Sequence, residues 1–130
     1  LKATYIDTSC LVAIAFDEPG SKLLQRRLAR KTDLFSHHLI EAEVLSAARR
    51  EGIASERFSS LLASVQLIFP DNSLVPALGE VFSVGYSRGA DALHLATALW
   101  LAKDNIKQIS FLTLDRNQAK IAKALGFASG

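Results

Sequence analysis

Two segments of the chain end a strand-like run on a carboxylate. TYIDTS puts Asp7 after Thr4-Tyr5-Ile6, and SFLTLD puts Asp115 after Leu114. An Asp there either caps the helix that follows or serves a ligand beyond the C-terminal strand ends, where open α/β sheets bind. Two such strands in one small sheet favour a site. Glu43, in LIEAEVLSA, shares a helical arc with Leu39, Ile40, Val44 and Ala47. It therefore faces the core, where a carboxylate needs a cationic partner. An Arg or Lys from elsewhere in the fold would be the purely structural solution. Glu41 lies at the margin of that arc and is the competing glutamate. Asp91 opens ADALHLATALWLA, a helix apolar almost all round, at the end where the helix dipole favours negative charge. Four acids that meet would raise one another's pKa values. A divalent cation relieves that repulsion. Oxygen ligands without Cys or paired His suit Mg²⁺ or Mn²⁺ better than Zn²⁺. The chemistry of such a set is metal-assisted phosphodiester hydrolysis. Asp7, Asp91 and Asp115 would stand nearest the metal, with Glu43 either a ligand or the residue that orients the attacking water.

Other residues surround these acids. Thr113 lies two positions before Asp115, so both share a strand face. Thr8, Ser9 and Thr113 have hydroxyls for the acids or for a metal-bound water, or for local capping. Asn117 stands in the first turn of the last helix, near Asp115. His94, one turn after Asp91, reads as a hydrogen-bonded core histidine. His37 and His38 fall at a helix start, and Trp100 belongs to core or interface. Arg26, Arg27, Arg30 and Lys31 form a basic stripe. Arg49, Arg50, Arg116 and Lys120 are weaker candidates for contacts to the phosphates of a polyanion, each equally at home on a solvated helix face. Phosphate contacts of this type are salt-dependent. Leu23, Leu24 and Leu28 are expected as exposed apolar residues of a dimer or partner interface.

The elements that must position these groups alternate. Strands are expected at about 3–7, 34–36, 67–69 and 108–114, with an edge strand after Gly126. Helices are expected at about 9–16, 20–31, 37–50 with Ser36 as cap and Gly52 as stop, 56–66 with Ser55 as cap, 76–87, 90–103 and 116–125. Strands separated by helices imply a three-layer α/β/α domain with a mostly parallel central sheet.

Bulk composition agrees with one domain over residues 1–130. The chain has 130 residues, 49% hydrophobic and 22% charged, with a net charge of +2 that permits nucleic-acid contact without demanding it. No apolar run reaches the ~18 residues of a membrane span, and the first residues lack a secretion signal. The single Cys10 excludes an internal disulfide and a Cys-based zinc site. A cytoplasmic location without membrane contact is expected. The turn Thr8-Ser9-Cys10 is not the Gly-rich turn of a dinucleotide site. Ser9 stands where a haloacid-dehalogenase phosphatase needs a second Asp, and the paired early acids of a response-regulator receiver are missing.

YIDTS, EAEVLSAARR, GADALHLATAL and FLTLD occur in that order, and as an ordered set they resemble the PIN domain family, within it the VapC-type toxin ribonucleases. The resemblance covers nearly the whole chain. It implies a PIN fold and Mg²⁺-dependent endoribonuclease activity, with Mn²⁺ as a substitute. It places the family's four acids on Asp7, Glu43, Asp91 and Asp115, with Ser9 or Thr8 as the hydroxyl partner of the first. It also implies a VapB-type antitoxin as partner, and a homodimer or higher oligomer is expected. A housekeeping PIN ribonuclease and a non-catalytic PIN-like binding module are the rival readings.

Overall fold

The structure is a computed structural model that describes residues 3–31 and 33–129. Its strands are β1 (Ala3–Ile6), β2 (Leu34–His37), β3 (Gln66–Ile68), β4 (Ile109–Leu112) and β5 (Ala128–Ser129). Its helices are α1 (Thr8–Ala15), α2 (Ser21–Ala29), α3 (Leu39–Glu51), α4 (Glu56–Ala63), α5 (Val75–Val84), α6 (Gly89–Ala102) and α7 (Arg116–Leu125). The sheet order is β3-β2-β1-β4-β5 and every pairing is parallel.

Alternation along the central strands creates two cores. Tyr5 pairs with Phe111 and Ile6 with Leu112 across β1 and β4. Neighbouring side chains on a strand point to opposite faces. Ile6 and Leu112 therefore join Leu11, Leu24, Val44 and Phe58 under α1 to α4. Tyr5 and Phe111 join Val81, Leu95 and Ile121 under α5 to α7. The result is the three-layer α/β/α arrangement, with a sheet parallel throughout. No helix among the described residues is long and apolar enough to cross a membrane.

Several expected boundaries move for physical reasons. Ser36 is not a cap; it lies fully buried inside β2, because that strand must pair with both β1 and β3. The cap is supplied by His37, whose Nδ1 accepts from Leu39 N–H at 2.8 Å. Ser55 occupies the N-cap of α4 without a side-chain bond, and α4 ends at Ala63 rather than Gln66, since Gln66 pairs with Phe35 in the sheet. α5 stops at Val84, short of Ser87. Strand β4 stops at Leu112, so Thr113 and Leu114 leave the sheet before Asp115. Leu24 and Leu28 are buried beneath α2, and of the early leucines expected on the surface Leu23 alone is exposed.

Candidate active site

The sheet changes direction at β1. Chain order runs outward on one side through β2 and β3, and on the other through β4 and β5. A crevice opens at the carboxyl ends of strands at such a switch point. Asp7 follows β1 there, and Thr113 to Asp115 follow β4. The two exits are joined by Asp7 N–H donating to the Leu112 carbonyl at 3.3 Å.

Asp7 occupies the N-cap of α1 but does not cap it. Its side chain turns inward and is 4% exposed. Ser9 Oγ donates to Oδ1 and Thr113 Oγ1 to Oδ2, each at 2.6 Å. The same two hydroxyls accept backbone N–H groups, Ser9 from Leu114 and Thr113 from Asp115, both at 3.0 Å. Burial pushes the Asp7 carboxyl above its ordinary range; the Ser9 and Thr113 hydroxyls and His94 oppose this, and the Asp91 charge adds to it.

Glu43 faces inward from α3 and is half-buried, whereas Glu41 is exposed. Its partner is neither Arg nor Lys. Oε1 is met by His94 Nε2 at 2.6 Å and by Thr8 Oγ1 at 2.7 Å. The other nitrogen of His94, Nδ1, lies 2.7 Å from the Tyr5 hydroxyl, which itself accepts His37 N–H at 2.9 Å. Burial pushes the Tyr5 phenol far up, so it stays protonated. Against an ionised carboxylate, which only accepts, His94 Nε2 is the donor to Glu43. Burial alone would raise the Glu43 pKa, but the bonds from His94 and Thr8 outweigh it and hold Glu43 below its ordinary range.

Asp91 lies in the first turn of α6, half-buried, and Asp115 is exposed at the N-cap of α7. Asp115 does act as a cap: Oδ1 accepts Gln118 N–H at 3.0 Å. Burial raises the Asp91 carboxyl first, the charges of Asp115 and Glu43 raise it further, and His94 and Arg88 oppose them. Gln118 was not anticipated. It is 1% exposed, meets the Thr113 hydroxyl through Oε1 at 2.9 Å and donates to the Asp91 carbonyl through Nε2 at 3.1 Å. The D-x-x-Q spacing from Asp115 to Gln118 is a capping-box signal that could have drawn attention to it.

The other expected residues divide. Thr8 serves Glu43, and Ser9 and Thr113 serve Asp7. Asn117 reaches the Tyr86 carbonyl at 2.9 Å rather than an acid. Arg49, Arg50, Arg116 and Lys120 are all exposed. Arg50 pairs with Glu51 at 3.1 Å, and it also lines an open groove of about 420 Å³ with Thr8, Glu43 and Ser46. A larger apolar hollow of about 500 Å³, between α1, α2 and α4, includes Leu34 at the opposite end of the sheet.

Among the described residues, no three acid, His or Cys side chains stand close enough to form a ready metal cage. Asp7 spends both oxygens on hydroxyls, Asp115 spends one on a helix end, and Asp91 and Asp115 repel. The donor set nonetheless fits a hard divalent cation. It is made of carboxylate oxygens, and Asp7 and Asp91 both have raised pKa values that a nearby positive charge would reverse.

Comparison with known proteins adds to this geometry. A family model described as PIN domain matches residues 4–124. The chain is 32% identical over 129 residues to a protein named Ribonuclease VapC46 from Mycobacterium tuberculosis, covering 98% of this chain and 96% of that one. No solved structure gives a significant match.

Proposed function

Because the chain belongs to the PIN domain family, we propose that it is a Mg²⁺-dependent endoribonuclease and the VapC-type toxin of a toxin–antitoxin pair. The observation that supports this reading is the electrostatic link between the acids: the Asp91 charge raises Asp7, and the charges of Asp115 and Glu43 raise Asp91. Ser9 and Thr113 fix Asp7, and His94 and Thr8 fix Glu43.

Asp7, Asp91 and Asp115 would hold the ion, with Mn²⁺ able to substitute. The bound cation would supply phosphate neutralisation and acidify a water. Glu43 keeps one oxygen on His94 and Thr8, and its other oxygen is available to orient a water at the scissile phosphate. Its depressed pKa keeps it an acceptor. Arg50 beside the Glu43 groove would hold a neighbouring phosphate. The products would be a 5′-phosphate and a 3′-hydroxyl. A single domain over 1–130, a cytoplasmic setting, a VapB-type antitoxin and a homodimer complete the reading.

The test is cleavage of a short single-stranded RNA by the purified chain with Mg²⁺. Cleavage that stops in EDTA and in Asp91→Asn is expected. Cleavage that persists in both would remove the acid site from the reaction. The toxin role is tested by inducing the chain in cells: growth arrest, relieved by the co-expressed antitoxin, is expected, and unaffected growth would favour a housekeeping nuclease.

A further inference from the structure

Strands β2 and β3 run parallel with His37 opposite Ile68. One residue further on, His38 N–H donates to the Ile68 carbonyl at 3.0 Å. His38 and Phe69 therefore leave the sheet side by side, at the same edge as the four acids. Their rings stack, with centroids 4.5 Å apart and planes 12° from parallel. On its inner side His38 stacks on His37, again at 4.5 Å and within 25°. Three rings thus form one ladder. Its inner end is buried at His37. Its outer end is Phe69, 64% exposed. Among the described residues no other ring stacks on Phe69.

An exposed phenylalanine costs hydration free energy unless something covers it. Here the phenyl is held flat by two rings behind it, and the stack begins at the last residue of β2, just ahead of the helix that bears Glu43. A protein partner usually needs a wider apolar patch. A single flat ring beside an acidic edge suits a flat ligand. Unpaired nucleobases stack on such rings without regard to sequence, since every base has a π-face.

We propose that Phe69, backed by His38 and His37, is a stacking platform for one unpaired nucleobase of an RNA strand running past the acids. This rests on the ribonuclease reading and deepens it: the substrate would be single-stranded where it meets β2 and β3. The platform would set the register of the strand, and Arg50 would hold a phosphate.

Binding is measured separately from cleavage, by anisotropy of a labelled single-stranded 12-mer RNA on Asp7→Asn protein. Phe69→Ala in that background is expected to weaken binding about tenfold, within the range for loss of one stacked base. Phe69→Trp is expected to retain affinity, with its fluorescence quenched by RNA. Removing one nucleobase at a time should locate a single position whose loss weakens the Phe69 protein and leaves Phe69→Ala unaffected. Equal binding by Phe69→Ala, or no position with that pattern, overturns the platform. So does a Phe69→Ala protein that binds RNA normally but changes its oligomeric state, which would assign the ring to a protein contact. Wild-type cleavage with Phe69-independent binding would leave the nuclease reading standing without the platform. Phe69-dependent binding without any cleavage would do the reverse.

Discussion

Tyr5→Phe removes one oxygen from the centre of the fold. The ring keeps its place, stacked on Phe111 with centroids 5.3 Å apart and planes 7° from parallel. Two polar groups lose their partner. His37 N–H loses its acceptor inside the sheet, and His94 Nδ1 loses the hydroxyl beside it. Each buried group left unsatisfied costs about 1–3 kcal/mol. A total of about 2–6 kcal/mol is expected, which for a chain of this size lowers Tm by roughly 6–24 °C. Urea unfolding of wild type and variant measures the loss, and hydrogen exchange locates it at the His37 amide. The substitution should also loosen His94 and thereby Glu43, lowering kcat by about tenfold with little change in KM, as for other partners that orient a site residue through hydrogen bonds. A loss under about 0.5 kcal/mol, together with unchanged kcat, would refute the Tyr5–His94–Glu43 chain as the device that fixes Glu43.

Three further outcomes are expected. Asp7 and Asp91 have raised pKa values in the folded chain. Between the ordinary and the raised value the folded state holds a proton that the unfolded state has lost, so stability falls as pH rises through that window. Tm measured in EDTA from pH 4 to 8 should show the fall, Asp91→Asn should reduce it, and a flat profile for the wild type would contradict it. Gln118→Leu removes the second donor on the Asp91 carbonyl and the contact to the Thr113 hydroxyl and should cost about 0.5–1.5 kcal/mol by urea unfolding; an unchanged midpoint would mean that Gln118 does not join α7 to α6. Arg50→Ala should leave Tm unchanged, because its pair with Glu51 is exposed. It should lower the salt dependence of RNA affinity by about one phosphate contact, and an unchanged slope would take Arg50 off the RNA path.

The parts legible in the sequence were those set by local pattern. Strands β1 and β4 are buried on both faces, so their apolar runs stood out, and an acid ending each run marked the edge of the sheet. The helical arc of α3 turned Glu43 inward and left Glu41 at its margin as a competitor; the fold exposes Glu41. What sequence could not reveal depended on pairing between distant segments. Ser36 looks like a cap, yet the demand of β2 for neighbours on both sides draws it into the sheet. Glu43 needed a cation, and its partner proved to be His94, from the same helix as Asp91, a choice made by packing of α6 on the sheet. Leu24 and Leu28 read as surface residues until α2 lies against α1. Gln118 drew no notice because a polar residue in a first helical turn normally points to water. Phe69 was placed inside the third strand; the strand lies one residue earlier, Gln66–Ile68, and leaves it outside, against His38.

The most direct test is to incubate the chain with total cellular RNA and Mg²⁺ and to sequence new 5′-phosphate ends, with Asp7→Asn and EDTA as controls. Discrete ends that are absent from both controls are predicted. Ends that persist with Asp7→Asn, or none from the wild type with Mg²⁺ or Mn²⁺, would contradict a carboxylate-centred ribonuclease at the β1–β4 crevice.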